Sequence, residues 1–106
     1  MVKFTVTDVF GQTVIATFAS WDHVTQHHPE MVGKEEQVKA AIEHPHVVYE
    51  GRTPEHKVFT ARNITTGFWA GSITVAVVRY RKDIGYLNTA YLTAQEPKGR
   101  ILWQRP

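Results

Sequence analysis

The sequence predicts an α+β domain: an N-terminal β-hairpin and two short helices packed on one face of an antiparallel β-sheet. Three observations predict it. Apolar residues keep helical spacing between Ser20 and Pro45, β-branched and aromatic residues dominate before and after that segment, and Gly33 and Pro45 bound the second helix. The chain of 106 residues reads as one domain, with the hairpin in 1–19, the helices in 20–45 and the sheet in 46–103. That length supports a single core without disulfide or metal staples.

The hairpin is expected from Lys3–Asp8 and Thr13–Phe18, β-rich runs around a turn with Gly11. Next comes Ser20-Trp21-Asp22-His23-Val24-Thr25-Gln26-His27-His28-Pro29-Glu30, which gathers three of the six histidines, a tryptophan and two carboxylates. Ser20 is the expected N-cap, Asp22 suits the positive end of the helix dipole, and Pro29 ends the helix at His28. Trp21, Val24 and His28 share one stripe, His23 and His27 another. His28 then sits at the edge of a core near the negative helix end, where protonated imidazole is favoured.

Gly33 separates this helix from Lys34–His44, whose Val38, Ala41 and Ile42 keep helical spacing until Pro45. Strands are predicted at 46–50, 57–62, 72–81 and 86–94, with a loop at 63–71 carrying Gly67, Phe68 and Trp69 and a turn at Lys82-Asp83-Ile84-Gly85. If Arg81 pairs with Tyr86, Ile73, Val75, Val77, Ala90 and Leu92 form the face for the helices. The other face carries Thr74, Ala76, Val78, Tyr80, Leu87, Thr89, Tyr91 and Thr93, a hydroxyl-rich binding surface that Thr60 and Arg62 join if Phe59 and Ala61 point inward.

The absence of cysteine excludes thiolate–zinc and thiol redox chemistry. Neither a signal peptide nor a membrane span is expected, so the default location is cytoplasmic. A formal charge of +2 permits a nucleic-acid partner without demanding one. Arg79, Tyr80 and Arg81, with Lys82 following, are read either as a substrate-binding phosphate footprint or as a solvated strand end. Lys98, Arg100 and Arg105 carry the same two readings.

The order Trp21-x-His23-Val24, His28-Pro29-Glu30, Ile42-x-x-Pro45, a strand ending in Arg62, a valine-rich strand, Thr89-Ala90-Tyr91 and Leu102-Trp103 resembles the phage-associated barnase/EndoU/colicin/RelE-like nucleases, the BECR fold. The resemblance runs from Trp21 to Trp103. It implies a small metal-independent endoribonuclease of toxin type, with no cofactor, acting on RNA and held in check by an antitoxin or immunity protein. Carried over, His28 matches the histidine of H-P-E, Arg62 the basic strand residue, and Thr89 and Tyr91 the T-A-Y strand. One departure is His46, where many relatives carry an acidic residue. The hairpin lies outside the motif.

RNA cleavage without metal needs a base for the 2′-hydroxyl proton, an acid for the leaving 5′-oxygen, and donors for the charge that builds on phosphorus. His28 supplies proton transfer, Arg62 a bidentate phosphate clamp, and Thr89 and Tyr91 neutral donors; Tyr91 can instead stack on a base. His23 and Glu30 are supporting candidates. Each has a plainer reading: His28 as a helix cap, Arg62 as an ion-pair partner of Glu50 or Glu55, Thr89 and Tyr91 as ordinary strand formers. His23 and His27 lack a third ligand or an H-E-x-x-H motif for zinc. The rival function is a non-catalytic RNA- or protein-binding module on the same sheet face.

Overall fold

In the computed structural model, which describes all of residues 1–106, Val2–Thr7 (β1) and Thr13–Thr17 (β2) form the antiparallel hairpin. β2 then runs without a loop into helix Phe18–His27 (α1). The N-cap is therefore Thr17, not Ser20. Thr17 is the last residue with extended backbone, its Oγ1 accepts the Ser20 N–H, and Ser20 Oγ accepts the Thr17 N–H, both at 3.0 Å. Ser20 serves as the third residue of this capping box, and Asp22 lies beyond the first turn.

α1 buries Trp21 and Val24 and stops at His28 because Pro29 opens a 3₁₀ turn, Pro29–Met31, that drops Met31 into the core. The second helix, Glu35–Glu43 (α2), starts with two glutamates at its positive dipole end and buries Val38, Ala41 and Ile42. Four strands follow as an antiparallel meander: Val47–Glu50 (β3), His56–Ala61 (β4), Ile73–Arg81 (β5) and Ile84–Thr93 (β6).

The sheet is larger than the sequence suggested, and it is mixed. Its order is β1-β2-β6-β5-β4-β3 with a seventh strand, Ile101–Gln104 (β7), antiparallel to β3 at the far edge. The expected all-antiparallel sheet is corrected at β2, which pairs parallel to the start of β6 from Thr13↔Ile84 to Ile15↔Tyr86. The hairpin is thus part of the sheet, and 46–103 does not contain all of it. No helix is long and apolar enough to cross a membrane.

The faces also differ from the expected assignment. The turn uses only Lys82 and Asp83, so Arg81 pairs with Ile84, and Lys82 takes a positive φ of 58°. Farther along, Val78 pairs with Leu87 but Val77 with Thr89, leaving Asn88 as an extra residue that inverts the rest of β6. The helices cover Val48, Phe59, Ala76, Val78, Tyr80, Leu87, Ala90 and Leu92, together with Thr74. Thr60, Val75, Val77, Thr89, Tyr91 and Thr93 share the opposite face with Ile73. Tyr80 therefore leaves the hydroxyl face, while Thr89 and Tyr91 stay on it.

Ile73 and Val75 are fully buried although they point away from the helices. The reason lies in the topology: β6 is third in the sheet and β7 seventh, so residues 94–100 must cross β5, β4 and β3, and they do so over this second face. Both faces of the central strands are thereby covered, which removes the alternation that would have distinguished them.

On the helix face, Gly85 lies opposite Tyr80 and beside Val14. A Cβ there would sit 2.7 Å from Val78 Cγ1 and 2.9 Å from the Tyr80 ring. Gly85→Ala is expected to destabilise the domain by about 1–3 kcal/mol through overpacking, measurable as a lower urea midpoint with an unchanged slope.

Candidate functional site

His28 is held by backbone. Its N–H donates to Val24 O at 2.7 Å, closing α1, and Pro29 keeps it out of helical geometry. The imidazole lies against the Tyr91 ring, centroids 5.5 Å apart and tilted by 33°. Glu30 comes from the 3₁₀ turn: its Oε2 is 3.6 Å from His28 Nδ1 and accepts the Leu92 N–H at 3.5 Å. That carboxylate docks the turn on the part of β6 that β2 leaves unpaired. A proton on Nδ1 faces Glu30, and Nε2 is then the free lone pair.

Thr89 lies two residues before Tyr91 on the same face. Arg62 follows the last residue of β4 and continues its alternation onto that face, two strands from β6, roughly 10 Å at the usual strand spacing. Its guanidinium is half-exposed, with Nη1 donating to Gly71 O at 3.4 Å and Nη2 lying 3.7 Å from Glu96 Oε1. The structure thus brings His28, Glu30 and Tyr91 into contact. Thr89 and Arg62 join them on one surface without touching them.

His23 does not join. It is exposed on α1, with its ring 4.3 Å from that of His27, and no third His, Asp or Glu gathers there as a ligand set. Tyr80 is buried and its hydroxyl donates to Asp8 Oδ2, which makes it a core residue and takes it out of the surface footprint. Arg79 and Arg81 remain exposed and line a depression of about 630 Å³ with Lys82, Tyr86 and Asn88 at the hairpin end of β5 and β6. Arg79 lies 3.7 Å from Glu55, and Arg81 and Lys82 form no ion pair.

Three residues near Arg62 were not singled out as site residues from sequence. Glu96, on the crossover, accepts a hydrogen bond from the Tyr49 hydroxyl at 2.8 Å and stands beside Arg62. His46 Nδ1 accepts the Arg62 backbone N–H at 2.8 Å, so the neutral ring carries its proton on Nε2. Burial, then the charges of Arg105 and Arg62, hold the His46 imidazole below its usual range. Where an acidic residue was expected, the chain has a neutral hydrogen-bond donor next to the arginine. Burial and the bond to Glu96 push the Tyr49 phenol up. Only pairing of β7 with β3 brings Glu96 to this place, and no local pattern announces it.

A second depression of about 540 Å³ opens beside Tyr91, lined by Val58, Pro97, Arg52, Lys98 and Arg100. Charge is segregated along the chain. Residues 1–45 carry three lysines and six carboxylates, net −3, whereas residues 46–106 carry nine Lys/Arg and four carboxylates, net +5, together the formal +2. The helical layer is acidic and the sheet with its loops basic, a dipolar arrangement that favours a polyanion on the sheet side.

No protein-family model, curated protein or solved structure matches the chain.

Proposed function

We propose that this protein is a metal-independent endoribonuclease of the barnase/EndoU/colicin/RelE-like type, cleaving RNA where the sheet face opposite the helices meets the free edge of β6. The observation that carries the reading is the contact of His28 with Tyr91, with Glu30 beside the imidazole. It joins the H-P-E and T-A-Y segments, sixty-odd residues apart in sequence, at one point of the surface. The BECR-like reading has further support in the two helices that precede the β3–β6 meander and pack on one side of it.

In this reading His28 Nε2 accepts the 2′-hydroxyl proton and Glu30 stabilises the imidazolium that forms. The 2′-oxygen bonds to phosphorus, the P–O5′ bond breaks, and the leaving oxygen takes a proton from solvent. Arg62 and the Thr89 and Tyr91 hydroxyls offset the charge on the non-bridging oxygens. Arg79, Arg81 and Lys82 hold flanking phosphates. A neutralising antitoxin or immunity protein would present an acidic surface to the same face, and an RNA substrate places the activity in the cytoplasm.

The test is incubation of purified protein with total RNA and a labelled tRNA in excess EDTA. Discrete products ending in a 2′,3′-cyclic phosphate are expected, and 2′-O-methyl RNA should resist. Absence of cleavage at every pH and salt tried overturns the enzyme reading and leaves a binding module on this face.

A further inference from the structure

Among the aromatic side chains, Phe68 stands farthest out, 93 % exposed, with Trp69 beside it at 38 %. Their rings meet edge to face, 5.4 Å between centroids. The segment that carries them, between β4 and β5, is firmly pinned. Gly71 N–H donates to Ile64 O at 2.9 Å, Ala70 N–H to Gly67 O at 3.2 Å and Ser72 N–H to Trp69 O at 3.0 Å, while the Ile64 side chain is in the core. Asn63 fixes the entry by donating from Nδ2 to Gln37 O at 2.9 Å and accepting from Thr74. A well-fastened loop thus holds an aromatic pair in water, where exposure is unfavourable unless something covers it.

The surroundings narrow the occupant. Thr65, Thr66, Gly67 and Ala70 flank the rings and are small or polar, so the apolar area is far below what a stable protein interface buries. Arg62, the clamp assigned to phosphate, donates to Gly71 O at the foot of the same loop. A ring available for stacking, on a loop whose foot a phosphate-binding guanidinium touches, supplies the two kinds of group by which proteins hold unpaired nucleotides.

We propose that Phe68, supported by Trp69, is a base-stacking platform for single-stranded RNA, taking an unpaired nucleobase whose neighbouring phosphate lies on Arg62. This rests on the RNA reading above, but on binding alone, not on cleavage. It makes the loop the selector for single strands over duplex, whose bases cannot reach an outside ring.

A short fluorescein-labelled 2′-O-methyl oligonucleotide lacks the attacking hydroxyl and reports binding by anisotropy at low salt. Phe68→Ala is expected to weaken single-strand binding about tenfold, the size of one base–aromatic stack, with the salt slope unchanged because no charge is lost. Phe68→Tyr should restore it. Arg62→Ala should weaken binding and reduce the slope by about one. The same sequence as a duplex should bind native and Phe68→Ala protein alike. Circular dichroism checks that the variants fold.

Equal single-strand affinity of native and Phe68→Ala protein overturns the proposal. So does failure of the native protein to bind the oligonucleotide, or an equal loss for duplex. Native protein that binds through Phe68 yet cleaves nothing in EDTA would sink the nuclease reading and leave the platform standing. Cleavage and binding that ignore Phe68 would do the reverse.

Discussion

His28→Ala is expected to lower RNA cleavage by about 10²–10⁴-fold, the range for removing a general acid–base group, with stability changed by no more than about 0.5 kcal/mol. The separation of the two effects follows from how His28 is held. The bond that closes α1 uses its backbone N–H, which alanine keeps. Its imidazole is about one-third exposed, lies against the Tyr91 ring and has the Glu30 carboxylate 3.6 Å away, with no side-chain hydrogen bond to the core. Single-turnover cleavage of labelled tRNA, with thermal unfolding of the same samples, makes the comparison. Cleavage at the native rate by the variant removes His28 from the chemistry. A large loss of stability together with cleavage would make it a structural cap.

Arg62 gives a contrast within the same experiment. Its guanidinium already has two protein contacts, a carbonyl at 3.4 Å and a carboxylate at 3.7 Å, both long. Both are weak at an exposed site, so a phosphate can displace them at little cost. Glu96 therefore holds the clamp in place without neutralising it as a tight bidentate pair would.

The short-range elements were legible in the sequence. Val38, Ala41 and Ile42 marked the buried stripe of α2, and Pro29 marked the end of α1, because both signals depend on residues within one or two turns. Phe59 and Ala61 pointed inward as expected, which places Thr60 and Arg62 on the outer face. What escaped depends on partners distant in sequence. Apart from Thr74, β5 is apolar from Ile73 to Val78, so alternation does not say which side meets the helices. The extra residue at Asn88 cannot be seen without its partner strand.

The Lys82-Asp83 turn lacks the Asn-Gly signature of two-residue hairpin loops, which made it look longer than it is. β7 was hidden for a related reason. Ile101–Gln104 is four residues long, follows Pro97 and Gly99, and gains strand character only by adding to β3. The site divides the same way. His28, Thr89 and Tyr91 stood out by residue type and spacing, whereas Glu96 and Tyr49 became neighbours only through the crossover. Tyr80 has the residue type of Tyr91, but Asp8, 72 residues away in sequence, accepts a hydrogen bond from its hydroxyl and holds it in the core.

That contact is where the largest loss of stability is expected. Asp8 is 4 % exposed; its Oδ1 accepts the Phe10 and Gln12 N–H groups at 2.9 Å each, and its Oδ2 accepts the Tyr80 hydroxyl. One carboxylate therefore fixes the β1–β2 turn and satisfies a phenol in the core. Hydrogen bonds to a charged acceptor contribute about 1.5–3 kcal/mol each, and Asp8→Ala leaves three donors unmet, so a loss of about 3–5 kcal/mol is expected. At 4–8 °C per kcal/mol for a domain near this size, the melting temperature should fall by roughly 12–40 °C. Tyr80→Phe keeps the two backbone bonds to Asp8 Oδ1 and leaves only Oδ2 without its donor, so it should cost less, about 1–3 kcal/mol. The double variant should be less destabilised than the sum of the two.

Alkaline pH probes the same contact without mutation. Burial, then the bond to Asp8 and its charge, push the Tyr80 hydroxyl far above the ordinary 10.0. Above that pH the unfolded chain gives up the phenol proton while the native state keeps it, so the unfolded state binds fewer protons and stability falls, by up to about 1.4 kcal/mol per pH unit for this group. Urea midpoints at pH 9 and 11 should drop less for Tyr80→Phe than for the native protein. An identical drop in both would mean that Tyr80 does not hold its proton in the fold and that Asp8 stabilises the turn alone.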